Sequence, residues 1–163
     1  TNGNEVIISF ATAGDIIGSE MLMSKNVYDI SAIAVEDSIA CSVDSDVYRD
    51  VLKSEGELPL ELLKYYENQL HNAEMKILKL ARLQVEGKVA YALLTLYNTF
   101  KTDAEENIIR ISLSRQDIAN MVGTTKEQVS KVLSDFGSHG IIKTKGKKIE
   151  FLNLEALRKM AEV

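Results

Sequence analysis

Lys126, Glu127, Gln128, Ser130 and Lys131 bring together, within two helical turns, side chains that donate to or accept from the edges of nucleic-acid bases and phosphates. They sit in "LSRQDIANMVGTTKEQVSKVLSDF" (113–136), which reads as two short amphipathic segments pinched around a Gly-Thr-Thr turn. Arg115 opens the first segment, and Lys143, Lys145, Lys147 and Lys148 follow in "GIIKTKGKKIEFL". Basic and amide side chains in such a cluster suit phosphate and base contact, the former through charge and the latter through paired hydrogen bonds. Catalytic chemistry has no comparable set. The chain shows no Ser/His/Asp arrangement, no phosphate loop and no metal pair with usable spacing, so no catalytic residue and no metal ligand is assigned, and the chain is read as a non-enzyme.

The charge is distributed to match. The 163 residues carry a net −5, yet within 110–148 there are 8 Lys and Arg against 3 Asp and Glu. Residues 1–100 hold 8 basic against 15 acidic side chains. A local basic patch, rather than overall charge, is what phosphate contact requires. A hydrophobic fraction of 45% with a single Pro predicts ordered structure throughout. Cys41 is the one cysteine and cannot form an internal disulfide, while His71 and His139 lie too far apart in sequence to suggest a metal cluster. Apolar runs such as 89–94 are too short to span a bilayer, and no charged-then-apolar leader opens the sequence, which predicts a cytoplasmic protein without a membrane partner. The first residue is Thr and residues 5–10 already read as a strand, so the sequence is expected to begin inside a domain.

Three zones position these residues. Over 5–43 the runs "VIISF", "YDISAIAV" and "IACSV" alternate with turns such as "ATAGDIIG", predicting a β-roll or sandwich. Over 60–83, Leu63, Tyr66, Leu70, Ala73, Ile77 and Leu80 follow the a/d spacing of a coiled coil, on a helix about 35 Å long that Pro59 suits as a start. Such a stripe either pairs with a second copy or packs within its own chain. Pairing is favoured because Leu62, Met75 and Leu78 lie off the stripe and can cover the roll. Val85–Phe100 reads as a further helix, with a break from the preceding one expected near Gly87.

After the loop "KTDAEEN" comes a strand, "IIRISL", then Ser114 with Asp117 in capping-box spacing for a helix over 115–121. Gly123 supplies the turn, and Thr124 with Glu127 suggests a second box for a helix running to about 138. Ile118, Ala119, Val122, Val129, Val132, Leu133 and Phe136 are the expected buried contacts. His139 is expected to favour the C-terminal end of the second helix through its dipole. A hairpin with a Lys-Gly-Lys turn and a closing helix over 154–161, capped by Asn153, complete a winged helix-turn-helix. Winged helices also serve as protein-interaction modules, so a dimeric scaffold without DNA binding is the alternative reading. Domain boundaries are placed at 1–58 for a partial effector-binding roll, 59–84 for the dimerisation helix and 85–163 for the winged helix-turn-helix.

This order of parts, with "LSRQDIANMVGTTKEQVSKVLSDFGSHGII" near the end, resembles the cyclic-AMP receptor protein and fumarate-nitrate regulator (CRP/FNR) family of bacterial transcription factors. The run "SRQDIANMVGTTKEQVSKVL" carries most of the resemblance and "GDIIG" supports it. The resemblance implies an α+β fold: a partial β-roll of the cyclic-nucleotide-binding kind, which is a double-stranded β-helix, then a dimer helix and a C-terminal winged helix-turn-helix. It also implies a homodimer on double-stranded DNA with a two-fold symmetric site, and RNA polymerase as a partner. Family members usually begin with a further helix and strands, so the roll is expected to be incomplete. The family pattern Glu-x-x-Ser-Arg falls on Glu127, Ser130 and Lys131, with Lys in the Arg place, a point donor instead of a fork. Arg115 falls on a phosphate-contacting position, and Thr124, Thr125, Lys126, Gln128, Lys145 and Lys147 complete the DNA-binding set.

The effector region departs from the cyclic-AMP branch, which places a Glu after its Gly turn and later an Arg-Ser pair on the cyclic phosphate. Here Ser19 follows Gly18, and Tyr28 and Asp29 stand where Arg and Ser are expected. A one-residue slip would bring Glu20 to the ribose position, but no Arg occurs over 1–48. Ala73 and Glu74 occupy the usual Thr-Ser adenine contacts. These residues define the effector-pocket candidates and argue against cyclic AMP. Cys41 lies where iron-sulfur members place one ligand, without the remaining ligands, and a buried strand cysteine is the plainer reading. His71 could serve a haem only as a lone ligand, and a solvated histidine is the plainer reading. The cofactor is therefore left open.

Overall fold

The computed structural model describes residues 5–19, 28–100, 107–109, 113–146 and 148–162. Along the chain these form α1 (Ser45–Lys53), α2 (Glu57–Arg82), α3 (Val85–Phe100), β1 (Ile108–Ile109), α4 (Arg115–Val122), α5 (Lys126–Ser138), β2 (Ile142–Lys145), β3 (Lys148–Phe151) and α6 (Leu154–Met160). They fall into two compact units, Ala11–Met75 and a second made of Thr1–Phe10 with Lys76–Val163.

The second unit is organised by α3. Val89, Ala92, Leu93 and Leu96 recur at helical spacing and are fully or almost fully buried. They draw α4, α5, α6 and β1 against that one helix. Phe136 from α5, Phe151 from β3 and Leu157 from α6 fill the same core, each contributing about 1.5–3 kcal/mol on burial. No polar or charged side chain is buried among the described residues, so this core is held by apolar contact alone. The three strands form an antiparallel sheet in the order β1-β3-β2, with Ile142 opposite Phe151 and Ile109 opposite Ile149.

The break between α2 and α3 falls at Leu83 and Gln84, not at Gly87. Gly87 lies inside α3 and is buried. A Cβ there would sit 2.7 Å from the Met160 carbonyl oxygen and 3.1 Å from Leu83 Cδ2. The glycine is therefore explained by the close approach of α3 to the end of α6, and not by backbone freedom. Lys79 ties the last turns of α2 to the same place: its ammonium donates to the Ala161 carbonyl and lies 5.5 Å from the centre of the Tyr91 ring.

In the unit Ala11–Met75 the expected roll strands are not found. Its two runs "YDISAIAV" and "IACSV" form no strand among the described residues, and Ile33, Ile39 and Val43 are exposed; "VIISF", which belongs to the other unit, forms none either. A strand is stable only when its backbone N–H and C=O groups meet a neighbouring ladder and its apolar face meets a core. The runs "YDISAIAV" and "IACSV" show neither among the described residues, and "VIISF" meets a core through Ile7 and Phe10 but no ladder. Instead the unit contains α1, which the pattern reading missed. Asp44 caps it by accepting from the Asp46 N–H, and Val47, Tyr48, Val51 and Leu52 give it an apolar side. The Tyr48 and Tyr66 hydroxyls meet at 2.6 Å, joining α1 to α2. Burial and the Tyr66 hydrogen bond push the Tyr48 phenol up to about 12. Pro59 occupies the first turn of α2, where its missing N–H has no intrahelical acceptor to lose.

The Gly87 contact is directly testable. Alanine is favoured over glycine within a helix by about 1 kcal/mol, but the backbone contact at Met160 opposes it as overpacking, which costs about 1–3 kcal/mol. Gly87→Ala is expected to lower the thermal midpoint of the chain. A raised midpoint would mean that α6 moves away freely and that the close approach does not constrain the fold.

Candidate nucleic-acid interface

The two helices of the turn motif are closed by paired side-chain caps. The Ser114 hydroxyl accepts from the Asp117 N–H, and the Asp117 carboxylate accepts from the Ser114 N–H at 2.7 Å, completing the box expected for α4. Gly123 ends α4 at φ +66, a left-handed conformation that favours glycine, and its N–H donates to the Ala119 carbonyl. The Thr124 N–H donates to the same carbonyl.

The second box lies one residue later than expected. Thr125 caps α5, its hydroxyl accepting from the Gln128 N–H at 3.3 Å, and Gln128 Oε1 faces the Thr125 N–H in return. Thr124 cannot be the cap because its backbone still belongs to the closure of α4. Its hydroxyl donates to Gln128 Oε1 instead.

These caps decide which candidates remain open. α5 buries Val129, Leu133 and Phe136 and exposes Lys126, Glu127 and Lys131 on other faces. Ser130 is half-buried, and its hydroxyl donates to the Lys126 carbonyl at 2.8 Å, so it faces a ligand as an acceptor. The amide oxygen of Gln128 is engaged in the cap, which leaves the amide NH2 for a base. Arg115 is half-buried at the first position of α4. His139 ends α5 with Nδ1 2.7 Å from the Asp135 carbonyl.

The hairpin places further cations beside this helix in the sequence. β2 and β3 pair so that Lys145 stands opposite Lys148, and Gly146 follows Lys145 at φ +62. Lys143 is paired with Glu150 on the neighbouring strand at 3.9 Å. Lys147 lies outside the described residues. Like charges directly opposed across strands are destabilising, and a bound anion relieves that repulsion.

The expected dimer stripe divides into two parts. Leu63, Leu70 and Ile77 are 63%, 61% and 67% exposed, and Ala73 is exposed with them. Tyr66 is half-buried against Tyr48, and Leu80 packs on the core of the second unit. The open part is thus centred on Leu63, Leu70, Ala73 and Ile77.

Of the effector-pocket candidates the structure brings Gly18 and Tyr28 together: the Tyr28 hydroxyl donates to the Gly18 carbonyl at 2.9 Å, and Gly18 holds φ +80. Ser19 is half-buried, while Asp29, Ala73 and Glu74 are exposed; Glu20 lies outside the described residues. Cys41 is exposed and in no strand, contrary to the buried strand position expected of it. His71 is exposed on α2.

A helix, a strand, a capped helix-turn-helix and a basic hairpin define a winged helix-turn-helix domain. Residues 87–160 match the Crp-like helix-turn-helix domain. Over 158 residues, 95% of this chain, it is 29% identical to the anaerobic regulatory protein of Pasteurella multocida, covering 57% of that protein. Over 162 residues, 99% of this chain, it is 28% identical to the fumarate and nitrate reduction regulatory protein of Vibrio cholerae, covering 64% of it. The chain therefore spans less than two thirds of the length of either relative. A solved CRP/FNR-family transcriptional regulator from Thermus thermophilus superposes with a TM-score of 0.59 at 27% identity, over 67% of this chain and 56% of that one. Residues 87–160 thus carry a Crp-like helix-turn-helix domain, and the chain as a whole is similar to regulators of the CRP/FNR type.

The one-residue displacement of the α5 cap can be checked by denaturation. Thr125→Ala removes the capping acceptor and should cost about 1 kcal/mol, read as a lower urea midpoint. Thr124→Ala should cost less. An equal or larger loss at Thr124 would return the cap to that position.

Proposed function

We propose that the chain is the DNA-binding part of a homodimeric transcription regulator that reads a two-fold symmetric site and answers to an effector other than cyclic AMP. The carrying observation is the division of α5, which buries Val129, Leu133 and Phe136 and leaves Lys126, Glu127 and Lys131 exposed in front of a Thr125 cap. In this reading α5 enters the major groove, with Lys131 donating to guanine O6 or N7 and Glu127 accepting from a base amino group. Arg115, Lys145 and Lys147 hold phosphates, and the opposed Lys145 and Lys148 lose their mutual repulsion when one is neutralised. The Lys126 and Glu127 N–H groups at the start of α5 add donors for a phosphate.

Two copies joined through Leu63, Leu70, Ala73 and Ile77 would present paired recognition helices to half-sites about one helical turn apart, roughly 34 Å. Against cyclic AMP stand Tyr28 and Asp29, which supply no cation for a phosphate, and the engagement of Tyr28 with Gly18. Likeness to transcription regulators of the CRP/FNR type supports action in the cytoplasm with RNA polymerase as partner. No catalytic role is proposed. No helix among the described residues is long and apolar enough to cross a membrane.

Two classes of substitution test the DNA reading. Lys131→Ala should weaken the cognate duplex by about 1–3 kcal/mol and relax preference at one base pair per half-site. Lys145→Ala should weaken cognate and random duplex alike and make the salt dependence shallower by about 1 per lost phosphate contact. Binding that is independent of salt, or a base preference altered by Lys145→Ala alone, would overturn the assignment of helix to groove and hairpin to backbone.

Assembly is tested separately. Leu70→Lys with Ile77→Lys places charges in the proposed interface, where burying one unpaired costs several kcal/mol. Sedimentation should then show a monomer, and an unchanged dimer would place the interface elsewhere.

A further inference from the structure

Residues 5–10 form a β-type run in the sequence, yet they lie across the helix-turn-helix rather than in a ladder. Ile7 and Phe10 are partly buried against its core, while Val6 and Ile8 are 69% and 56% exposed. Its backbone is held at Ile7 and Ile8. The Asn120 carbonyl is in the last turn of α4, where carbonyls lack intrahelical donors, and the N–H groups of Gly123 and Thr124 both go to Ala119. The Ile7 N–H fills that vacancy at 3.0 Å. The Ile7 and Ile8 carbonyls accept from the Lys76 ammonium at 2.9 and 2.5 Å. Phe10 meets the Phe100 ring edge to face, with centroids 5.2 Å apart. Burial holds the Lys76 ammonium below its ordinary value, in keeping with a cation enclosed by these contacts.

We infer that residues 5–10 form a strap that docks on the ends of α3 and α4 with Lys76 as its clasp, and that docking excludes pairing of the same segment as a roll strand. The exclusion follows from hydrogen-bond accounting. One N–H has one acceptor to choose, and the Ile7 N–H cannot serve Asn120 and a ladder together. Whatever favours strand pairing in the effector region therefore withdraws the strap from the end of α4, the helix that supports the recognition helix. This regulatory consequence rests on the DNA-binding reading; the docking itself does not.

Native-state hydrogen exchange and proton cross-relaxation in the intact chain, measured without DNA, test the docking. The Ile7 amide should be protected, and Lys76→Met and Phe10→Ala should each lower that protection by about tenfold or more while Leu93 and Leu96 keep theirs. The rings of Phe10 and Phe100 should show cross-relaxation in the unsubstituted chain, a readout that survives if either variant fails to fold. Exchange of Ile7 at a free-peptide rate, protection unmoved by both substitutions, or no contact between the two rings would overturn the strap. Because none of these readouts involves nucleic acid, a failure here and a failure of DNA binding are told apart.

Discussion

Burial of one side of α3 is the constraint on which the rest of the second unit depends. Val89, Leu93 and Leu96 are the shared floor for α4, α5, α6 and the first strand, and no buried polar group sets any of these contacts. Apolar burial is non-directional, so direction has to come from the ends of the helices. The two capping boxes and the left-handed Gly123 supply it. Together they fix where α4 stops and α5 starts, and hence which face of α5 is left for a partner. Close packing acts in the same way at Gly87, where one missing Cβ sets how near α3 comes to α6.

Charge follows the division between buried and open faces. A chain with a net −5 keeps its basic side chains around the turn motif and the hairpin, where Lys145 opposes Lys148 with no described acid between them. Elsewhere in the hairpin the same geometry is used for neutralisation, since Lys143 is opposite Glu150. The hairpin thus has one compensated pair and one uncompensated pair along a single ladder. A structural role alone would favour compensation at both. The uncompensated pair is at the turn, where an anion has open access.

Much of the winged helix could be read from the sequence because its signals are local. Ser114 with Asp117, Gly123, Gly146 and Asn153 each act within a few residues, and all lie where the pattern places them. The errors arose where two local rules competed or where contacts are distant. Thr124 and Thr125 are both capping residues, and only the backbone closure of α4 onto Ala119 decides between them. Gly87 looks like a break, but its reason is a carbonyl far along the chain at Met160. α1 was overlooked although Asp44 and the spacing of Val47, Tyr48, Val51 and Leu52 signal it, because the β-type runs before it suggested continuing strands. The effector candidates were the least legible, since a pocket is assembled from distant segments and only the Gly18 and Tyr28 contact is local enough to follow from the turn.

The segment 5–10 shows why a β-type run does not by itself specify a ladder. Such a run says only that an extended chain carries apolar side chains to bury. A neighbouring strand satisfies such a chain, and so does a helix end with an unfilled carbonyl beside a half-buried ammonium. Asn120 and Lys76 offer the second solution with the same donor and acceptor count for Ile7 that a ladder would use. Apolar burial is served in part, because Ile7 and Phe10 reach a core already built by α3 while Val6 and Ile8 stay exposed. Two arrangements of similar chemistry and mutually exclusive hydrogen bonds are the minimum requirement for a two-state element. The balance between them is set by whatever else can offer this segment a strand to pair with.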